Sequence, residues 1–202
     1  MVPMNWARCA ALALLVAALA GCVAEPLHGD GAVSVGMVTR GYLHRGLRLS
    51  DRGRGYVRVR PQEPTAYGTP TLVSAIEHAA ASVDRAFPGG QPLAVGDLSS
   101  SRGGRHPRHV SHRSGRDADL LYYVRDSAGL SASNQTWLPF GAYGLHVRNG
   151  RAYSFDTARN WHLVRTLVLD EQARLKWLFC SKSIKALLLR YAAEHEPSAR
   201  AI

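Results

Sequence analysis

The chain has 202 residues and carries 25 Lys and Arg against 15 Asp and Glu, a net charge of +10 with histidines neutral. That length holds one domain with a genuine core, and its three cysteines (Cys9, Cys22 and Cys180) exclude a disulfide framework. The positive charge, nearly all arginine, would suit nucleic acid, but the amino-terminal leader described next favours polyanionic cell-wall polymer and no nucleic acid.

Residues 1–21 have the make-up of an export signal. Arg8 supplies a short positive region and Ala10 to Ala20 an unbroken apolar run, too short to span a bilayer. The run ends in Leu19-Ala20-Gly21-Cys22, which resembles a bacterial lipobox. That resemblance implies lipidation of Cys22, a periplasmic location and a lipid anchor in the membrane. Val23 at the second mature position points to the outer membrane. The alternative is an ordinary signal peptide followed by an incidental cysteine.

Residues 22–68, rich in Gly, Arg and Pro, are expected to form an extension over the domain rather than a fold of their own. "GYLHRGLRLS" and "GYVRVRP" within it alternate as short strands do. The domain proper is placed at 69–202. Its first helix is expected at 70–87: Thr69 caps it, Pro70 fills the first helical position, and Pro88-Gly89-Gly90 stops it. Leu72, Val73, Ile76, Ala80, Val83 and Phe87 make one apolar face.

"PLAVGDLS" reads as a buried strand and "DADLLYYV" as the next one, with a Ser-, Gly- and Arg-rich loop between them. "TWLPF" and "AYGLHV" are expected to continue the sheet. "NWHLVRTLVLD" reads as a helix capped at Asn160 or Asp156, "RLKWLFCS" as a short strand, and "SIKALLLRYAAEHE" as a helix burying Ile184, Leu187, Leu188 and Tyr191. Mixed helices and strands without strict alternation predict an α+β fold with a small antiparallel sheet flanked by helices.

The loop carries the chemistry. His106, His109 and His112 recur at three-residue intervals ahead of Asp117 and Asp119. Imidazole nitrogen and carboxylate oxygen are zinc donors. Pro107 and the Ser and Gly content keep the histidines off a helix. On one straight strand His112 and Asp119 would face opposite ways, so they share an ion only if the chain turns at Gly115.

"SHRSGRDADL" resembles the zinc motif of the penicillin-insensitive murein endopeptidases, within the wider group of lysostaphin-like and D-Ala-D-Ala metallopeptidases. "VGDLSSSRGG" and "FDTARNWHLVRTL" resemble the same family in order and spacing, and the similarity runs from about Gly41 to Tyr191. The resemblance implies a D-Ala-D-Ala metallopeptidase-like fold and a zinc endopeptidase cutting D-alanyl–diaminopimelate cross-links of peptidoglycan. It implies His112 and Asp119 as zinc ligands and His109 as a further metal-contacting histidine. Asp117 would be a carboxylate orienting an imidazole, or simply a strand-entry residue. His106 has no counterpart in the motif and is expected in solvent.

In the family the third ligand and the supporting base come from a His-x-His motif after the last long helix. This chain contains no His-x-His, so no catalytic base is assignable and zinc is expected to bind loosely. The domain is accordingly expected to be incomplete at its carboxyl end, or to have lost the ligand. His146 and His162 could supply a ligand in principle, whereas His195 is expected in solvent. Two alternatives stay open: a non-catalytic peptidoglycan-binding lipoprotein derived from the family, and a D-alanyl-D-alanine carboxypeptidase.

Overall fold

The computed structural model describes residues 31–196, so the leader and the Cys22 lipobox lie outside the described residues. The chain forms an α+β fold of small sheets and three helices among the described residues. Strands β1 (Val33–Met37) and β2 (Arg40–His44) make an antiparallel hairpin. Strand β3 (Leu47–Arg48) pairs antiparallel with β6 (Tyr67–Gly68). Strands β4 (Arg52–Gly53) and β5 (Tyr56–Arg58) are antiparallel, and β5 then pairs with β7 (Leu93–Val95). The last of these pairings is parallel, a departure from the all-antiparallel expectation. It follows from helix α1 (Pro70–Ala86), which lies between the two strands in sequence and returns the chain in the same direction.

Helix α1 forms as its sequence dictates. The Thr69 side chain accepts the Leu72 N–H at 3.2 Å, and Pro70 occupies the first turn. Its buried face is Val73, Ile76, Ala80 and Val83, with Leu72 and Phe87 packed at the edge. That face closes on Leu93, Val95 and Leu98, which follow one another along β7 and its continuation. Leu49, Tyr56 and Ala66 are buried as well, so the segment before Thr69 contributes side chains to the interior.

A second cluster gathers Val124, Leu138, Phe140, Phe155, Trp161, Ile184 and Leu188. It sits between a four-stranded antiparallel sheet and the two later helices. The sheet runs β10 (Leu145–Arg148), β11 (Arg151–Phe155), β8 (Val124–Arg125), β9 (Ser131–Ala132). Helix α2 (Thr157–Leu169) is capped by Asp156, which accepts the Arg159 N–H. Asn160 is not the cap. It is buried and takes both main-chain groups of Tyr123, accepting the N–H at 3.0 Å and donating to the carbonyl at 2.8 Å. Helix α3 (Lys182–His195) buries Ile184, Leu188 and Ala192, while Leu187 and Tyr191 are only half-buried.

Three strand expectations need correction. Of "DADLLYYV", only Val124 enters a regular strand. Residues 119–121 nevertheless run extended beside β7, exchanging hydrogen bonds with Ala94, Gly96 and Asp97. "TWLPF" has no regular structure, because Leu138 and Phe140 drop into the second cluster instead of pairing. "RLKWLFCS" is not a strand either: Trp177 is 75% and Phe179 89% exposed, with no strand beside them among the described residues.

Candidate metal centre

The site is built on the end of β7 and the long loop after it. Asp119 is fixed through its main chain, donating its N–H to the Asp97 carbonyl at 2.9 Å and accepting from Gly96 N–H at 2.8 Å. Gly96 permits this approach, since a Cβ there would lie 2.9 Å from the Asp119 Cβ. The loop reverses at Gly115, where φ is +69° and a Cβ would strike the Leu43 side chain at 2.7 Å. Ser99 clasps the reversal, its hydroxyl donating to the His112 carbonyl and accepting the Gly115 N–H. The turn that the spacing of His112 and Asp119 demanded is therefore present.

His112 itself adopts φ +59°, a left-handed conformation that costs a residue with a side chain about 1–2 kcal/mol. Asp117 holds it there by accepting the His112 main-chain N–H at 2.9 Å. The His112 Nδ1 lies 3.7 Å from the same carboxylate, beyond hydrogen-bond range, so Asp117 acts on His112 through its backbone.

The ring ends converge. His112 Nε2 lies 3.3 Å from Asp119 Oδ1, and His109 Nε2 lies 3.3 Å from Asp119 Oδ2. Ligand atoms of His109, His112 and Asp119 all fall within 4.8 Å of one another, the one such group of three among the described residues. Asp119 Oδ2 has no hydrogen-bond partner despite the imidazole beside it, so the atoms are close but not aligned to bond each other. Donors at 2.0–2.1 Å from a tetrahedral zinc sit about 3.3 Å apart; each imidazole stands at that separation from one oxygen of Asp119, though not the same one, and the set as a whole is looser, within 4.8 Å. The donor set fits zinc, and small side-chain turns would close its spacing onto an ion.

Electrostatics agree. Burial opposes a charge on His112, but contact with Asp119 and the nearby charges of Asp117, Asp119 and Asp97 outweigh it and raise its pKa. This imidazole attracts a cation, whether a proton or a metal.

Two residues at the site were not foreseen. His106, expected in solvent, is buried with 4% exposure. Pro107 turns the chain so that His106 Nδ1 accepts the N–H groups of Arg108 and His109, both at 3.2 Å. Its ring centroid lies 4.9 Å from that of His109 and 5.4 Å from that of His112. Burial, with the charges of the neighbouring imidazoles, lowers its pKa although Asp97 pulls the other way.

Asp97 is the second, and it is wholly buried. Its carboxylate accepts from Thr65 Oγ1 at 2.7 Å, from Arg108 Nε at 2.9 Å and Nη2 at 2.8 Å, and from Arg60 Nη1 at 3.2 Å. Burial alone would raise its pKa; Arg108, Thr65 and Arg60 reverse that and hold it well below the usual carboxylate range. His109 Nε2 also lies 3.2 Å from Asp97 Oδ2. His109 is thus shared between Asp97 and the Asp119 side, while His112 and Asp119 face each other without a competitor. The only sequence sign of Asp97 is one acid closing an apolar strand within "VGDLSSSRGG".

The other histidines lie elsewhere. His162 Nε2 is 2.9 Å from Ser82 Oγ, and its ring meets Phe87 edge-on. His146 stands at the edge of Phe140, and exposed His195 stacks on Tyr191 at 4.1 Å. None joins the cluster.

Two imidazoles and a carboxylate converging on one point, on a loop braced from a buried strand, define a candidate metal site on an α+β scaffold. Residues 34–197 match the family model for penicillin-insensitive murein endopeptidase, and the chain belongs to that peptidase family. It is similar to the penicillin-insensitive murein endopeptidase of Haemophilus influenzae, with 28% identity over 169 residues, 81% of this chain and 56% of that relative. The chain thus spans about half the length of the curated relative it matches.

Proposed function

We propose that the protein is a zinc-dependent murein endopeptidase that hydrolyses D-alanyl–diaminopimelate cross-links in bacterial peptidoglycan, on a scaffold of the D-Ala-D-Ala metallopeptidase type. The observation that carries this reading is the convergence of His109, His112 and Asp119, joined to membership of the family. Bound there, zinc would polarise an amide carbonyl and lower the pKa of a water to about 7.

The chain's own residues do the holding and orienting. His112 and Asp119 supply the uncontested donors, and His109 supplies a third when it turns from Asp97. Asp117 keeps His112 in its left-handed conformation, with the buried ring's Nε2 facing Asp119. Asp97, through Arg108, ties the histidine loop to the end of β7. Peptide cross-links are the partner; the lipobox adds a lipid anchor at Cys22 and a place in the periplasm, at the outer membrane.

Cleavage of purified cross-linked muropeptides, followed chromatographically with and without a chelator, tests the activity. Zinc-dependent loss of cross-linked dimers supports it. Binding of sacculi without cleavage would instead favour the non-catalytic lipoprotein, and release of terminal D-alanine alone the carboxypeptidase. Retention of a Cys22→Ala variant in the membrane fraction at the parent's level would remove the anchor from this account.

A further inference from the structure

His106 is a buried imidazole with one side used and one side free. Two main-chain N–H groups converge on Nδ1, which fixes the orientation of the ring and requires Nδ1 to be an acceptor. A proton on Nδ1 would meet both N–H groups head-on. The neutral ring therefore carries its hydrogen on Nε2. That atom is buried and has no hydrogen-bond partner. A ring in this tautomer cannot give Nε2 to a metal, because hydrogen occupies its in-plane position and its lone pair belongs to the aromatic ring. What remains is a donor, on a ring that borders the cluster, with the imidazoles of His109 and His112 at ring distances of 4.9 Å and 5.4 Å. An unmade buried hydrogen bond is costly to keep, and a bound oxygen is the group that would satisfy it.

We propose that His106 is a substrate-binding residue, whose Nε2–H donates to a carbonyl or carboxylate oxygen of a peptide bound at the His109–His112–Asp119 cluster. The inference rests on the metal site proposed above but concerns the second partner of the substrate oxygen rather than the metal. His106 thus has two separable tasks: Nδ1 closes the turn at Arg108 and His109, and Nε2 serves the ligand.

Asparagine separates the tasks. In His106→Asn the amide oxygen can take over the turn, as Asx residues do, while the distal donor is lost. The experiment is calorimetric titration of parent and His106→Asn with zinc, then of each zinc-loaded chain with acetohydroxamate as the oxygen ligand. Long-range proton–nitrogen NMR of the metal-free parent reads the tautomer directly. The expected results are an Nε2–H tautomer, zinc affinity within about twofold of the parent, and acetohydroxamate affinity about tenfold weaker. In His106→Gln, whose amide nitrogen can stand near the Nε2 position, part of that loss should return. Zinc uptake with equal acetohydroxamate affinity in parent and His106→Asn would overturn the inference alone, as would an Nδ1–H tautomer. Absence of zinc uptake by the parent would overturn the metal site and this inference with it.

Discussion

The loop from Asp97 to Asp119 buries polar side chains, whereas the segment from Arg174 to Ser181 exposes apolar ones. In the loop, Asp97, Ser99, His106, His112 and Ser114 are all buried. In the segment, Leu175, Trp177, Leu178 and Phe179 all face outward. Hydropathy would have reversed the two. Partners decide it: Asp97 is met by Thr65, Arg60 and Arg108, the Ser99 hydroxyl by the His112 carbonyl and the Gly115 N–H, and His106 Nδ1 by two main-chain N–H groups, which removes much of the cost of leaving water. No strand pairs with the segment among the described residues, and although Cys180 packs on the second cluster, Trp177 and Phe179 find no such cover.

The comparison breaks most easily at Asp97. Asp97→Ala would leave Arg108, and in part Arg60 and His109, without their shared carboxylate. Arg108 and Arg60 are partly exposed and keep some hydration, so the loss is that of charge-assisted hydrogen bonds, about 1.5–3 kcal/mol, read by denaturant unfolding. Zinc affinity should fall with it, because Arg108 sits one residue before His109. A loss below about 1 kcal/mol would mean that the loop holds itself.

Asp117→Ala sharpens the account within the loop. It removes the acceptor of the His112 N–H from a residue at positive φ, so a cost of about 1–3 kcal/mol is expected. Zinc affinity should drop about 10–100-fold, as is usual for groups that orient a ligand. Unchanged zinc affinity would show that Ser99 alone holds the turn.

The pH dependence of the metal-free chain follows from three histidines. The raised pKa of His112 means that its protonated form stabilises the fold below the unfolded value of about 6.5, and that this is lost as pH rises through the higher folded pKa. The lowered pKa values of His106 and His162, both due first to burial, work on the other side. Their neutral forms stabilise the fold above about 6.5, and this is lost as pH falls through that value to their folded pKa. Thermal unfolding in a chelator should therefore peak near pH 6.5. His112→Ala should flatten only the alkaline limb, and a decline that persists there would move the effect to another group.

The smallest effect belongs to the exposed segment. Phe179→Ser should change stability by no more than about 0.5 kcal/mol, since the ring is 89% exposed. A larger loss would show that the ring packs on something in solution.

Much of this was legible beforehand. Helix α1 follows from Thr69-Pro70, a 3.6-residue apolar period and the Pro88-Gly89-Gly90 stop, all local signals. The meeting of His112 and Asp119 hung on one glycine, and Gly115 does adopt the conformation required. Asp97 escaped notice because its partners lie 11, 32 and 37 residues away, beyond any periodic pattern. His106 was misplaced because a histidine among arginines beside a proline has the look of a solvated residue. Its burial depends on two main-chain N–H groups aimed at Nδ1, which composition does not reveal. Trp177 and Phe179 carried the pattern of a strand, but a strand forms only where another can pair with it.

The central claim is that His112 and Asp119, with His109, hold one zinc. Zinc content after dialysis against trace metal, measured on the parent, His112→Ala and Asp119→Ala alongside muropeptide cleavage, tests it most directly. The account predicts up to about one zinc per parent chain, held loosely because no His-x-His completes the site, with loss of that zinc and of any cleavage in both variants, and an unchanged circular dichroism spectrum. Retention of zinc by both variants would contradict it and would direct attention to His146, His162 and His195.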